Sequence, residues 1–389
     1  MTVSFIITTY EVARFTEQCV NSVCDAARDG DQIIVVDDCS EDGSADVARA
    51  ALRARSFPNS TVVALGEHTP GGVGIPANIG MSHARNDVVV FVDGDDWLHP
   101  GGFNAARDAF ERGSADVMIT RYDVQDTETG HHAAPTDEYL WESIAPSQTP
   151  AERRDIALKL NGVPWRKFYR RSFLQMHDLR FPEGDVFYED NPFHWATSIS
   201  AGSIAFSNEV TVTHRVNRAG QTLAARGTEL FAFFEHYTAI LGLTEDDASL
   251  RTSAAQWLMT NMAWHIDVIR PDLRLSYAVA ADRAIKALPA EVWQAALSDH
   301  FRFQPIGALV EMALEGSAPA FAAGLTLHSQ MHNTSQLQGA MAGLETKLAE
   351  LDDRSYWIHF EVTQAHRHAK AATNQQLFDM LRARADKQT

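Results

Sequence analysis

Five consecutive apolar residues, Val88-Val89-Val90-Phe91-Val92, run straight into Asp93-Gly94-Asp95-Asp96-Trp97. The β-branched run reads as a buried strand. Packing gives no reason for such a strand to end in three carboxylates. Their mutual repulsion calls for a positive partner, and Mg²⁺ or Mn²⁺ suits oxygen ligands and bridges carboxylates to a diphosphate. Taken alone, the motif also fits an exposed acidic turn after a core strand.

The neighbouring segments make that strand part of a sheet. Val3 to Thr9, Gln32 to Asp37, Thr61 to Leu65 and Val117 to Tyr122 are apolar, β-branched runs bounded by polar turns. Phe15, Cys19, Val20 and Val23 fall on one helical face, as do Val47, Ala51 and Leu52. Asp42-Gly43-Ser44 reads as a turn into a helix cap. Alternating strands and helices predict an α/β fold with a mostly parallel sheet covered on both faces. Ligands of such sheets bind beyond the carboxyl ends of the strands. Thr8-Thr9-Tyr10, Asp37-Asp38 and the Asp93 to Asp96 cluster all lie at those ends.

Residues 127–150 turn polar and proline-containing, and residues 151–225 carry short aromatic-rich segments. From about Gly227 to Gly324 the apolar spacing is helical. The tail then places Leu337, Met341, Leu344, Leu348, Leu351, Ser355, Ile358, Val362, Ala365, Ala369 and Ala372 in alternating steps of four and three. That is an a/d seam of roughly five heptads with one polar residue, which predicts a coiled coil and a homo-oligomer. A helix packed on its own chain is the plainer alternative. The expected division is residues 1–225, a helical domain at 226–325, and a long C-terminal helix at 326–389.

Charge narrows the function. Lys and Arg total 33 against 51 Asp and Glu, a net −18, whereas a general nucleic-acid binder needs a basic footprint. The three cysteines, Cys19, Cys24 and Cys39, form no CxxC and read as reduced thiols rather than a disulfide framework. The chain enters its first strand without a basic n-region or cleavage site, and no apolar run approaches the roughly 20 residues of a spanning helix. The expectation is a cytoplasmic protein without a transmembrane segment, with peripheral attachment at the inner face of the membrane left open.

Other motifs fit poorly. An aspartate-nucleophile phosphatase needs a small residue where Trp97 stands, and GxxxxGK[ST] does not occur. Gly72-Val73-Gly74-Ile75-Pro76-Ala77 matches GxGxxA, but it follows the third strand rather than the first and reads as a chance match.

Six segments in order resemble the family 2 glycosyltransferases of GT-A fold. Phe5 to Tyr10 resembles the opening strand, and Ile34-Val35-Val36-Asp37-Asp38-Cys39-Ser40-Glu41-Asp42-Gly43-Ser44 is close to the family's VDDxSxDGS. Asn78-Ile79-Gly80 with Ala84 resembles the segment before the metal strand, and Asp93-Gly94-Asp95-Asp96 corresponds to DxD. Trp165 to Leu174 resembles WxKxYRRxxL, and Tyr188-Glu189-Asp190 resembles the ED motif. The resemblance covers roughly residues 1 to 225.

It implies a nucleotide-sugar-dependent, inverting transferase with Mn²⁺ or Mg²⁺ as cofactor. By resemblance Asp190 is the general base with Glu189 beside it, and Asp95, Asp93 and His214 are metal ligands. Thr8, Tyr10, Asp38, Asn78 and Asp93 belong to the nucleotide site. Arg215 and Arg218 contact phosphate, and Trp165, Lys167 and Asp96 serve the acceptor or support the site. Where many relatives carry Ala-Arg-Asn-x-Gly, this chain has Pro76-Ala77-Asn78-Ile79-Gly80 and so lacks the arginine. QxxRW does not occur, which implies single additions rather than polymer extrusion. The expected reaction moves a sugar, from a UDP-sugar first, onto a hydroxyl of a glycan, polyol-phosphate or lipid-linked acceptor in cell-surface polysaccharide or glycoconjugate synthesis. The alternative is a nucleotide-binding interaction scaffold of the same fold without turnover.

Overall fold

The structure, a computed structural model, describes residues 1–218, 227–316, 318–349 and 370. It divides into a unit of residues 1–322 and a second of 323–389.

The first unit opens with β1 (Val3–Thr9), α1 (Ala13–Ala26), β2 (Gln32–Asp37), α2 (Ser44–Ala54), β3 (Ser60–Ala64), α3 (Gly74–His83) and β4 (Val88–Asp93). β1 pairs in parallel with both β2 and β4, and β3 lies outside β2 as the partly exposed edge. Successive side chains of a strand point to opposite faces, and both faces here are covered. Phe5 and Ile7 share a core with Cys19, Val20 and Val23 of α1 and with Phe103, Ala106 and Phe110. Ile6 faces the other way, into a core with Ile34, Val36 and Phe91. Burying each such side chain contributes about 1.5–3 kcal/mol, so this alternation holds the register.

β4 is followed by β5 (Trp97–Leu98), α4 (Pro100–Arg112), β6 (Val117–Asp126), β7 (His132–Ala133), α5 (Pro150–Ala157), β8 (Lys167–Arg170), α6 (Arg171–Met176), α7 (Asp190–Ser200) and β9 (Ile204–Val216). The sheet order is β3-β2-β1-β4-β8-β6-β9-β5, with β7 beside β6. β8 pairs antiparallel with β4 and β6, so the second half of the sheet is mixed where sequence patterning alone suggests parallel pairing. β9 is long and bulged against β6, and it lacks the unbroken apolar run of the central strands because polar and charged residues run through it.

The helices α8 (Ala232–Thr244), α9 (Ala248–Val268), α10 (Arg274–Ile285), α11 (Ala290–Ala296), α12 (Asp299–Arg302) and α13 (Pro305–Glu315) complete the first unit. α8 and α9 pack on the segment that opens α7. Tyr188 lies against Phe233 with ring centroids 4.7 Å apart, His236 Nε2 is 2.6 Å from the Phe187 carbonyl, and Trp257 donates to Asn191 Oδ1 at 3.3 Å.

A last helix, α14, spans Ala318–Ala349. The predicted seam enters it from Leu337 to Leu348, and its remaining positions, Leu351 to Ala372, lie outside the described residues, as do Ala219 to Thr222 of the basic segment after β9. No helix among the described residues is long and apolar enough to cross a membrane. The three cysteines are free thiols.

Candidate active site

The acidic cluster is made by a sharp exit from β4. Asp93 is in register with Thr8 of β1, and the Gly94 N–H donates to the Thr8 carbonyl at 2.8 Å. A Cβ on Gly94 would lie 2.5 Å from Thr9 Cγ2 and 2.8 Å from that same carbonyl, so only glycine lets the chain turn there. The Asp96 N–H closes the turn onto the Asp93 carbonyl at 3.0 Å. Asp93, Asp95 and Asp96 then present carboxylate oxygens that all lie within 4.8 Å of one another.

β5 and β9 bring the basic side to this cluster, with Trp97 opposite Thr213. His214 Nδ1 sits 2.9 Å from Asp96 Oδ2, and the Arg215 N–H donates to Asp96 Oδ1 at 2.8 Å. Both oxygens of the fully buried Asp96 are therefore committed to protein partners. Arg215 donates Nε to the Asp95 carbonyl and another N–H to Gln18, with its guanidinium 4.7 Å from the Phe15 ring centroid and 4.4 Å from that of Trp97. It thus braces the cluster's backbone. Arg218 pairs through Nε with Asp95 Oδ2.

Burial pushes the Asp93 carboxyl well above the usual range, and Asp96, Asp95 and Asp190 push it further. Burial works against a charged His214, yet Asp96, Asp93 and Asp95 raise its imidazole to about 9. Hard oxygen donors crowded at this cost fit a divalent cation. Asp93, Asp95 and Asp96 are the group able to hold one, and His214 stands behind Asp96.

The nucleotide-side residues divide. The Thr69 N–H and hydroxyl donate to the two oxygens of Asp38, both at 2.9 Å, and His68 Nδ1 is 3.0 Å from Asp38 Oδ2. Tyr10, 45% exposed, stacks on His68 with centroids 4.1 Å apart. Tyr10 and Asp38 therefore share one surface through His68, a residue with no sequence signal because it sits in an irregular loop. Thr8 flanks it at the end of β1. Asn78 has a different position: its amide donates to the Phe181 carbonyl at 2.9 Å and Glu183 at 2.8 Å and accepts from the Phe181 N–H at 3.0 Å. It ties α3 to the chain before the ED segment.

Glu189 and Asp190 follow Tyr188, whose φ is +60°. The Gly74 N–H donates to Glu189 Oε1 at 2.9 Å, and a Cβ on Gly72 would lie 2.4 Å from that same oxygen. The GxGxxA stretch thus cradles Glu189. Asp190 begins α7, and its Oδ1 is buried without a hydrogen-bond partner among the described residues. Burial, then Glu189, pushes its carboxyl up to about 8 against the pull of Lys167 and His214. Trp165 lies buried under the imidazole of His214, with centroids 5.0 Å apart. Lys167 is buried and donates to the Gly162 carbonyl at 2.9 Å and to His194 at 2.8 Å. Both support the site from within.

Asp38, Tyr10 and the Asp93 to Asp96 turn thus leave the carboxyl ends of the neighbouring parallel strands β2, β1 and β4, and Asp190 lies near enough to raise the Asp93 carboxyl. The family model for glycosyl transferase family 2 matches residues 4–176. The chain is similar to EpsJ of Bacillus subtilis, described as an uncharacterized glycosyltransferase, with 24% identity over 259 residues, 64% of this chain and 74% of that protein. It is also similar to the poly(ribitol-phosphate) beta-N-acetylglucosaminyltransferase TarS of Staphylococcus aureus, with 25% identity over 237 residues, 60% of this chain and 39% of TarS. The crystal structure of S. aureus TarS 1-349 in complex with UDP-GlcNAc shares the fold, with a TM-score of 0.68 and 19% identity over 85% of this chain and 92% of that one. Residues 4–176 therefore match the glycosyl transferase family 2 model, and the first unit has an α/β fold of the GT-A kind.

Proposed function

We propose that the chain transfers a sugar, with inversion, from a UDP-sugar to a hydroxyl of a cell-surface glycan or polyol-phosphate acceptor, with Mn²⁺ or Mg²⁺ at Asp95 and Asp93. The observation that supports this reading is the turn after β4, which gathers carboxylate oxygens of Asp93, Asp95 and Asp96 within 4.8 Å of one another, with the buried Asp190, whose Oδ1 has no hydrogen-bond partner among the described residues, acting on Asp93. TarS, by its name, acts on poly(ribitol-phosphate), and crystal structures of TarS 1-349 hold UDP-GlcNAc and UDP. These support the donor class and the polyol-phosphate option.

The nucleobase lies against Tyr10, with Asp38 fixed by Thr69 and His68 to accept a hydrogen bond. A cation, when bound, neutralises the diphosphate leaving group. Arg218 exchanges its pairing with Asp95 for a diphosphate oxygen, which suits its planar fork. Asp190 stands across from the leaving group and takes the proton of the acceptor hydroxyl as it attacks. Attack and departure on opposite faces in one displacement invert the anomeric centre. Glu189, held by the Gly72–Gly74 loop, fixes where Asp190 stands. The protein works in the cytoplasm as a non-processive enzyme, and its C-terminal helix joins copies of the chain.

The test is turnover of UDP-sugars with Mn²⁺, with and without chelator, by the parent protein and Asp190→Asn. Turnover that survives both chelation and the substitution overturns the mechanism. Sedimentation of the chain ended near Gly324 tests the oligomer, which should dissociate.

A further inference from the structure

Three consecutive carbonyls lead up to Glu189 and Asp190, and each has a partner on a different element. The Gly72 N–H, from the loop before α3, donates to the Val186 carbonyl at 3.0 Å. His236 Nε2, on α8, lies 2.6 Å from the Phe187 carbonyl. A carbonyl can only accept, so the network assigns the ring proton to Nε2. The Tyr188 carbonyl accepts from the backbone N–H and from the side-chain amide of Asn191, both at 3.1 Å. Asn191 Oδ1 in turn accepts from the Trp257 indole of α9 at 3.3 Å.

These bonds hold a backbone that would not stay in place by itself. Tyr188 has a φ of +60°, a left-handed conformation that a bulky residue rarely adopts and that persists only where its surroundings fix it. Its ring packs on Phe233 of α8, with centroids 4.7 Å apart, and meets Trp264 of α9 edge-on at 6.3 Å. Phe233 and Trp264 also meet edge-on, so the three rings form one cluster. Asp190 is therefore flanked on both sides by residues that α8 and α9 grip: Phe187 and Tyr188 before it, Asn191 after it. No hydrogen bond among the described residues fixes Asp190 Oδ1, so its aim depends on the backbone to either side.

We propose that the helix pair α8 and α9 is the positioning element of the base, with His236 and Trp257 as the positioning residues through which it acts. The proposal rests on Asp190 being the base, as argued above. His236 and Trp257 take no part in the proton transfer. They set the path of the chain that carries Asp190, and they give the helical region after β9 a role in the reaction.

The experiment compares the parent with His236→Leu, His236→Gln and Trp257→Phe, each alone and combined with Asp190→Asn. Leucine occupies the space without an N–H, and glutamine returns a donor near the Nε2 position. Phenylalanine keeps a ring but loses the indole N–H, so Trp257→Phe decides the question if His236→Leu does not fold. Two readouts are taken: kcat and KM of UDP-sugar turnover with Mn²⁺, and hydrogen exchange of the backbone amides of residues 183–195. The expected result is a kcat lowered about tenfold or more in His236→Leu and lowered less in Trp257→Phe, with the donor KM within about twofold of the parent. His236→Gln should restore most of the loss. In the Asp190→Asn background the same substitutions should cost less than about twofold, because no base is left to misplace. Exchange should quicken over residues 183–195 while β1, β2 and β4 keep their protection. The full loss repeated in the Asp190→Asn background, a KM that rises with kcat unchanged, or exchange unaltered in both variants overturns the proposal. Parental turnover by Asp190→Asn alone overturns the base assignment instead, and the exchange result then decides by itself whether α8 and α9 hold the segment.

Discussion

The His214 imidazole meets the Asp96 carboxylate at 2.9 Å, joining β9 to the turn that leaves β4. The contact fastens the acidic turn to a strand more than a hundred residues downstream, and the imidazole stacks on Trp165. Replacing His214 by leucine leaves a buried carboxylate with one partner fewer. The expected loss is about 2–4 kcal/mol in urea unfolding with chelator present. Mn²⁺ affinity, read by calorimetry, should fall about 10–100-fold, as for other partners that orient metal ligands. Unchanged affinity would show that Asp96 needs no buttress.

Asp190 gives a pH prediction of definite sign. Its carboxyl sits at about 8, so the base form grows as pH rises. Turnover per free enzyme should climb about tenfold per unit below that value and flatten above it. Asp190→Asn should lose about 10²–10⁴-fold in kcat while retaining UDP-sugar binding. The same raised carboxyl favours the folded state when protonated; that contribution is lost as pH rises towards 8. The asparagine protein should therefore be the more stable one at neutral pH.

Arg218 occupies the Asp95 carboxylate that is proposed to ligate the cation. Arg218→Ala should strengthen Mn²⁺ binding without nucleotide, because a competing cation is gone. It should weaken UDP-sugar binding by about tenfold or more, because a charge-assisted hydrogen bond to diphosphate is lost. Opposite signs in the two titrations are the outcome to look for. A fall in both would confine Arg218 to a structural role.

The legible and illegible parts of this chain differ in a physical way. β1, β2 and β4 are buried on both faces, so their β-branched runs could be little else. β9 is exposed at its middle and buried again from Thr211 to Thr213 beside a bulge, and Ile204 to Val216 carries charged and polar residues throughout. The acids Asp93, Asp95 and Asp96 stood out because clustered charge at a strand end is costly, and Asp190 stood out through the resemblance of Tyr188-Glu189-Asp190 to the ED motif. His68, Gln18 and His194 did not, because each gains meaning only from a partner far away in sequence. Asn78, Trp165 and Lys167 stood out as motif members, but local sequence says nothing of the direction in which their polar atoms point.

His265 offers a test outside the active site. It is fully buried in α9, with Nδ1 2.8 Å from the Tyr277 hydroxyl, and burial drives its imidazole down to about 3. An unfolded histidine titrates near 6.5. The neutral ring therefore stabilises the fold above that value, and the contribution drains away as pH falls towards 3. Between pH 6.5 and pH 5 the loss should be about 2 kcal/mol. In His265→Asn, whose amide can take the Tyr277 bond without titrating, urea unfolding should show that much less acid sensitivity. Equal sensitivity in both proteins would place the acid lability elsewhere.

The glycine loop before α3 provides the sharpest separation of function from stability. A Cβ on Gly72 would lie 2.4 Å from Glu189 Oε1, 2.6 Å from Oε2 and 2.8 Å from Cδ. No rotation of the methyl group relieves that, so the carboxylate must move, and with it the anchor of the residue before Asp190. Gly72 needs no left-handed backbone, unlike Gly71 with its φ of +84°, so Gly72→Ala is a purely spatial insult. Its cost to folding should be modest, about 1–3 kcal/mol, as for other overpacked sites. Its cost to catalysis should be larger, because a base displaced by about 1 Å can lose roughly 100-fold in rate. Gly72→Ala combined with Glu189→Ala makes the space again. If the loop matters only as a cradle for Glu189, the double variant should recover the stability lost by Gly72→Ala but not its turnover. Recovery of both would mean that Glu189 has no part in setting Asp190, and recovery of neither would mean that the loop serves the site by some other contact.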